Sequence, residues 1–132
     1  MRWMMKNILA KEAWHFLEQH PDAVLIDVRT PQEWAAVGFP DVSTLGREAV
    51  ALTWKPEEVE GFQKELEEQV SDKKAPLLFL CRSGVRSHHA STIALGAGYG
   101  NVTNIIDGFE DRHGPGTGWR ASGLPFVIRS LA

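Results

Sequence analysis

Residues 76–87 read PLLFLCRSGVRS, an apolar run followed by a short polar loop. The apolar part is typical of a buried strand, and the segment from Ser87 onwards is typical of a helix. Cys81, the only cysteine of the chain, therefore lies where a predicted strand turns tightly into a helix. Backbone N–H groups and the positive end of a helix dipole favour an anion at such a turn. We predict that Cys81 is a nucleophile that reacts as a thiolate and is open enough to be reached.

Short apolar runs alternate with helical periods over the whole chain. Strands are predicted at 24–28, 49–54, 76–80 and 102–106, and helices around 13–17, 31–38, 59–70 and 87–97. A capping box with proline at the first helical position, Thr30 to Glu33, marks one helix start. This alternation predicts an α/β fold with a mainly parallel central sheet flanked by helices. Because the sequence has no repeat or linker, residues 1–132 are predicted to form a single domain.

Composition excludes several classes of function. A net charge of -3 argues against a nucleic-acid partner, because phosphate binding needs a basic face. No apolar stretch approaches the roughly 20 residues that span a membrane, and the apolar run at 7–10 is too short for an export signal. A cytoplasmic location is therefore expected. A single cysteine allows neither an intramolecular disulfide nor a cysteine-rich zinc site. Adjacent His88 and His89 point in different directions on a helix and do not suit one metal, so no metal site is expected. No cofactor is expected either.

The loop after Cys81 offers candidate groups for binding an anion. Arg82 is expected to attract an anionic reactant. Gly84 lacks a Cβ and lets the backbone curl around a bound atom, although an ordinary turn glycine would look the same. Ser83 and Ser87 carry hydroxyls that can donate hydrogen bonds, and Ser87 can equally be a helix N-cap.

Two other predicted strands also end in charged residues, and the carboxyl ends of parallel strands meet at one rim of a sheet. Asp27 is expected to orient either Arg29 or Arg86. Direct contact with the substrate is the alternative role for Arg86. Asp107 is expected to cap the turn at Gly108. Both carboxylates are expected to be structural, because a carboxylate aimed at the thiol would oppose thiolate formation.

Three motifs in order resemble the signatures of the rhodanese-like family, and the resemblance covers nearly the whole chain. They are DVRTPQEW at 27–34, LFLCRSGVRS at 78–87, and IDGFE at 106–110 followed by WRASGLP at 119–125. The resemblance implies a three-layer rhodanese-like fold and a sulfurtransferase in which Cys81 accepts a sulfane sulfur as a persulfide. The loop backbone from Arg82 through Val85 to Arg86, together with Ser87, would cradle that sulfur.

The same resemblance implies the partners of the reaction. The donor would be a small anion such as thiosulfate or a persulfide, and the acceptor would be cyanide or a thiol. A protein donor or acceptor is also compatible with the family. The chemistry needs a thiolate and then a persulfide, which is itself negatively charged.

Two departures from the family pattern concern the surroundings of the thiol. Many members have Gly-His-Ile-x-Gly-Ala where residues 37–42 read VGFPDV, so a histidine is missing from the expected pocket wall. An insertion at 111–118 precedes Trp119. Its glycines suit a mobile surface loop, which we expect, or a lid or docking loop near the rim.

Two other functions remain open on the sequence. A phosphatase or arsenate reductase of related fold would resemble Cys-x5-Arg, whereas here only four residues separate Cys81 from Arg86. The shorter loop should fit a single sulfur atom better than a tetrahedral oxyanion. The second alternative is a non-enzymatic persulfide carrier or partner-binding module. Rapid turnover of thiosulfate with cyanide would favour the enzyme, and loading only from a protein persulfide would favour the carrier.

Overall fold

The structure is a computed structural model that describes residues 5–130. Seven strands occur in this part of the chain: β1 (Lys6–Ile8), β2 (Val24–Asp27), β3 (Phe39–Pro40), β4 (Val50–Ala51), β5 (Leu77–Leu80), β6 (Val102–Ile105) and β7 (Phe126–Val127). Five of them form a parallel sheet in the order β1-β6-β5-β2-β4. Strand β5 is the middle strand, so the residue that follows it leaves the centre of the sheet.

Four α-helices cover the two faces of the sheet: α1 (Ala10–Gln19), α2 (Pro31–Ala36), α3 (Val59–Gln69) and α4 (Val85–Gly96). Side chains of a strand alternate between faces. Leu77 and Phe79 accordingly pack in a core cluster with α3 and α4, whereas Leu78 and Leu80 pack in a second cluster with α1 and α2. Both faces are buried, which explains why β5 reads as a continuous apolar run. The predicted α/β, three-layer architecture is confirmed.

The predicted strands at 24–28, 76–80 and 102–106 are confirmed to within one residue at each end. The capping box of α2 is also present, since the Thr30 hydroxyl accepts the Glu33 N–H at 3.3 Å and Glu33 Oε1 accepts the Thr30 N–H at 3.2 Å. The strand predicted at 49–54 is shorter, because only 50–51 form β4. Its predicted alternation is present, since Leu52 and Trp54 pack in one core cluster and Ala49 in the other. The expected exposure of the second side is wrong at Ala49, which is buried.

Three short strands were not predicted. Strand β1 has only three residues and pairs with β6 at the edge of the sheet. Strands β3 and β7 form a separate antiparallel pair, in which Phe39 lies opposite Val127. Segments of two or three residues are too short to show a period. No helix within residues 5–130 has the length and apolar character needed to cross a membrane.

Candidate active site

The loop that follows β5 is short, because α4 begins at Val85 rather than at Ser87 as predicted. Gly84 is the N-cap of α4 and has a φ of +100°. A Cβ at this position would lie 2.6 Å from the carbonyl oxygen of Ile106. Both the backbone conformation and the close approach of the chain after β6 therefore require glycine. The tight turn places the first amide groups of α4 back toward the end of β5.

Two polar groups contact the sulfur of Cys81. The Gly84 N–H donates to Sγ at 3.1 Å, and Ser87 Oγ lies 3.2 Å from Sγ. Cys81 is only 1% exposed, so the thiol is less open than predicted. Its other neighbours belong to the apolar cluster beneath α4. The sulfur thus lies at a boundary between packed hydrocarbon and a polar turn, rather than wholly inside hydrocarbon.

Asn104, in β6, completes this polar turn and was not among the predicted site residues. It is 3% exposed, and its Nδ2 donates to the Gly84 carbonyl at 3.2 Å. Ser87 Oγ donates to Asn104 Oδ1 at 2.5 Å. Since a hydroxyl has one proton, Ser87 then accepts from the Cys81 S–H when the thiol is protonated. The sequence signal that could have identified Asn104 is a polar residue within a strand that is buried along its whole length.

Ser87 is the third residue of α4 and is fully buried, so the alternative interpretation of Ser87 as an N-cap is wrong. The other loop residues are more open. Arg82 and Val85 are exposed, with Val85 at 63%, and Ser83 is partly exposed. The structure therefore brings Gly84 and Ser87 to the sulfur and leaves Arg82 and Val85 facing solvent.

Arg86 forms an ion pair, but its partner is Glu33 of α2 and not Asp27. Nη1 lies 2.6 Å from Oε1 and Nη2 lies 2.9 Å from Oε2, a two-point contact. Burial opposes ionisation of Glu33, but the hydrogen bonds from Arg86 and Thr30 outweigh it and hold the pKa of Glu33 below its usual range. The hydrogen bond with Glu33 raises the pKa of Arg86. The pair ties the first turn of α4 to α2.

Asp27 pairs with Arg29, so of its two predicted partners Arg29 is confirmed and Arg86 is wrong. Both side chains are fully buried, and Arg29 Nη2 lies 2.7 Å from Asp27 Oδ2. The same nitrogen donates to the Gly38 carbonyl at 2.7 Å, and the guanidinium lies 4.0 Å from the centre of the Phe109 ring. A charge pair buried this deeply needs all of these partners to offset its lost hydration. Asp27 and Arg29 thus connect the end of β2 to the segment after β6.

The expectation that Asp107 caps the turn at Gly108 is wrong. Its Oδ1 accepts the N–H of Ala10 at 2.8 Å, at the start of α1, and its Oδ2 accepts the N–H of Gly118 at 2.9 Å. A carboxylate at a helix N-terminus is favoured by the free N–H groups and the helix dipole. Asp107 therefore joins α1 to the far end of the 111–118 insertion.

The segment after β6 lies directly against the cysteine loop. The N–H of Phe109 donates to the Cys81 carbonyl at 2.8 Å, and the N–H of Glu110 donates to the Arg82 carbonyl at 3.2 Å. His113 Nε2 lies 2.7 Å from the Ser83 carbonyl. A Cβ at Gly108 would lie 2.3 Å from the Arg82 carbonyl oxygen, so glycine is required for this approach.

Comparisons with known proteins agree with this arrangement. The family described as the STR4 middle domain matches residues 5–131. The chain is 32% identical over 89% of its length to rhodanese-like domain-containing protein 4 of Arabidopsis thaliana, a chloroplastic protein of which the match covers 25%. The chain belongs to the rhodanese-like family. Among solved structures, Rv0390 of M. tuberculosis is 41% identical, with a TM-score of 0.82 over 96% of this chain and 99% of that one.

A second solved relative carries a name that describes sulfur transfer. It is the polysulfide-sulfur transferase homodimer of Wolinella succinogenes, 26% identical with a TM-score of 0.73 over 96% of this chain and 81% of that one. In this chain, the strand–loop–helix turn offers an N–H donor to a sulfur atom at a helix N-terminus. Such a turn can stabilise negative charge on that sulfur.

Proposed function

We propose that this domain transfers a sulfane sulfur from a small anionic donor, such as thiosulfate, to a thiophilic acceptor through a persulfide on Cys81. The observation that carries the proposal is the 3.1 Å hydrogen bond from the Gly84 N–H to Sγ, made at the N-terminus of α4. A donor in this position stabilises the thiolate before the reaction and the charged outer sulfur after it. Membership of the rhodanese-like family supports sulfur transfer in general.

The reaction has two displacement steps. The Cys81 thiolate attacks the outer sulfur of thiosulfate, a new S–S bond forms, and the old S–S bond breaks with its electron pair leaving on sulfite. An acceptor such as cyanide then attacks the outer sulfur of the persulfide, and the thiolate leaves again. Thiocyanate is the product, and no external oxidant or reductant is needed. Both steps keep one negative charge at the turn.

The two loop arginines are proposed to have different roles. Arg86 is neutralised by Glu33, so we assign it to holding the start of α4 in place. Arg82 is exposed and takes part in no salt bridge among residues 5–130. A surface cation beside the loop raises the local concentration of anions. We therefore assign the capture of an anionic donor to Arg82.

The depth of the thiol favours small donors over a protein persulfide. Cys81 is 1% exposed, and a small anion that presents a terminal sulfur needs less opening of the turn than a cysteine carried by a folded partner. The Wolinella succinogenes relative is named as a polysulfide-sulfur transferase, which adds polysulfide to the donors to be tested here. The phosphatase alternative is disfavoured because only three residues separate Cys81 from α4. So short a turn leaves little room for the tetrahedral phosphorus of a phosphoester, whereas thiosulfate has to insert only its outer sulfur.

Intact mass after incubation with thiosulfate tests the proposal. Because Cys81 is the only cysteine, any gain of one sulfur atom that dithiothreitol reverses reports on this position. The Cys81→Ser variant should gain no sulfur and should show no turnover with cyanide. Turnover by Cys81→Ser would disprove the assignment of the nucleophile. Failure of the unmodified domain to load from thiosulfate and from polysulfide would disprove the proposed reaction.

A further inference from the structure

We infer that His113, in the 111–118 insertion, is a positioning residue that orients the Gly84 N–H toward the reactive sulfur. The inference rests on the proposed function for its consequence in sulfur transfer, but its geometry stands independently. His113 Nε2 lies 2.7 Å from the Ser83 carbonyl, and the Gly84 N–H lies 3.1 Å from Cys81 Sγ. These two contacts belong to opposite ends of one peptide group.

The peptide group between Ser83 and Gly84 is planar and trans, so its carbonyl and its N–H point in opposite directions. A group that holds the carbonyl outward therefore holds the N–H inward. His113 occupies the outer side and Cys81 Sγ occupies the inner side. Rotation of this peptide group would break both hydrogen bonds together.

The chemistry of the contact defines the protonation of the ring nitrogen. A carbonyl oxygen only accepts hydrogen bonds, so His113 Nε2 carries a proton and donates. Hydrogen bonds in a chain polarise one another, by roughly 10–30% per bond. Donation by His113 thus makes the Gly84 N–H a stronger donor to a thiolate or persulfide. The effect reaches the sulfur without any contact between the imidazole and the sulfur.

The backbone of the same segment holds the rest of the loop in the same way. Phe109 and Glu110 donate their N–H groups to the carbonyls of Cys81 and Arg82. Three consecutive carbonyls, at 81, 82 and 83, are therefore turned toward the segment after β6. The third is held by a side chain, whereas the first two bonds come from backbone N–H groups. His113 is thus the position at which a substitution can test this arrangement without removing backbone contacts.

Loss of the hydrogen bond between His113 and the Ser83 carbonyl should slow sulfur loading only moderately. A hydrogen bond of this kind contributes about 0.5–1.5 kcal/mol, and water can replace part of it at the Ser83 carbonyl. We expect His113→Ala to slow sulfur loading from thiosulfate about threefold to tenfold, which is the range that this energy allows. His113→Gln keeps an N–H donor of similar reach, and we expect its loading rate to lie within about twofold of the unmodified domain.

The experiment combines loading rates with the ¹H–¹⁵N spectrum of the folded domain. The amide proton signal of Gly84 should move upfield in His113→Ala and return toward its original position in His113→Gln. The matched control is His15→Ala, because His15 is an exposed histidine on α1 with a side chain 72% exposed. That variant should change neither the Gly84 signal nor the loading rate.

The possible outcomes separate the two proposals. An unchanged Gly84 signal in His113→Ala would overturn the positioning role, whatever the loading rate. Loading by His113→Gln as slow as that of His113→Ala would also overturn it, since the donor would then not be the property that matters. If no donor loads the unmodified domain but the Gly84 signal still moves in His113→Ala and returns in His113→Gln, the proposed function fails and the positioning role stands.

Discussion

Arg86 and Glu33 form a two-point ion pair between α4 and α2, with N–O distances of 2.6 and 2.9 Å. The two residues are 53 positions apart in the chain. Glu33 also belongs to the capping box of its own helix, because its Oε1 accepts the Thr30 N–H. One carboxylate therefore fixes the start of α2 and the start of α4 together. The loop that carries Cys81 is held in place from the helix side by this contact.

The ion pair predicts a pH-dependent contribution to stability. The folded state lowers the pKa of Glu33, so ionised Glu33 favours folding. This contribution is complete above the carboxyl pKa of the unfolded chain, roughly 4.3, and is lost as the pH falls through the lower folded value. We expect Glu33→Gln to reduce the free energy of unfolding by about 1 kcal/mol at pH 7, measured by urea denaturation.

The difference between Glu33→Gln and the unmodified domain should shrink toward zero at acidic pH, where both side chains are neutral. Glu68→Gln is the matched control, because Glu68 is exposed on α3. A Glu33→Gln deficit that stays constant from pH 7 to pH 3 would show that the charge of Glu33 does not stabilise the fold.

A neutral side chain at position 104 is predicted to be needed for Cys81 to react as a thiolate. Asn104→Ala leaves the Gly84 carbonyl without its side-chain donor, and we expect a loss of about 1–3 kcal/mol in the free energy of unfolding. Asn104→Asp has nearly the same shape but places a carboxylate beside Ser87, which opposes a thiolate. We expect Asn104→Asp to load sulfur about tenfold more slowly than Asn104→Ala at pH 8. Equal loading rates for the two variants would contradict the electrostatic explanation.

Arg82 is predicted to act through long-range attraction. Arg82→Ala should lower the second-order rate of loading from thiosulfate about threefold to tenfold at low salt, and the loss should diminish as salt is added. Loading from a neutral organic trisulfide should change little. Lys74→Ala removes the same charge from the loop before β5, at the opposite end of that strand from Cys81, and serves as the control. Equal losses for anionic and neutral donors would refute the steering role.

Gly108 is predicted to be the least replaceable residue of the segment after β6. An alanine there would combine a φ of +68° with a Cβ 2.3 Å from the Arg82 carbonyl oxygen. Gly46 has a φ of +78°, and a Cβ added there would meet no atom within 4 Å, so this position isolates the conformational cost. We expect thermal or urea unfolding to show losses of about 1–2 kcal/mol for Gly46→Ala and at least about 3 kcal/mol for Gly108→Ala. Similar losses of unfolding free energy for the two variants would show that the cysteine loop moves away from a side chain at position 108 at little cost.

The part of the site that local patterns encode was predictable. The apolar run of β5, the cysteine and the glycine of the turn follow one another closely in the chain, so their order alone indicates a strand–loop–helix turn. The capping box at Thr30 and Glu33 is likewise a local signal. These signals placed the thiol correctly between a strand and a helix, whereas the strand order that makes β5 the middle strand was not predicted.

The contacts that complete the site join residues far apart in the chain and were not predictable in detail. The sequence offers several acidic partners for Arg86, and only packing of α4 against α2 selects Glu33. The bonds from Phe109 and Glu110 use backbone N–H groups, which every residue but proline has, so no residue type marks them. The contacts of Asn104, in β6, and of His113, in the segment that follows it, with the cysteine loop depend on the position of β6 beside β5, which the sequence does not indicate.

The depth of Cys81 has a consequence for handling the domain in air. Two cysteines form a covalent bridge only when their sulfurs approach to about 2.05 Å with the Cα atoms roughly 4.4–6.8 Å apart. A side chain that is 1% exposed beneath the first turn of a helix cannot meet its counterpart on another copy at that separation. Aerated preparations should therefore migrate as single chains on non-reducing gels.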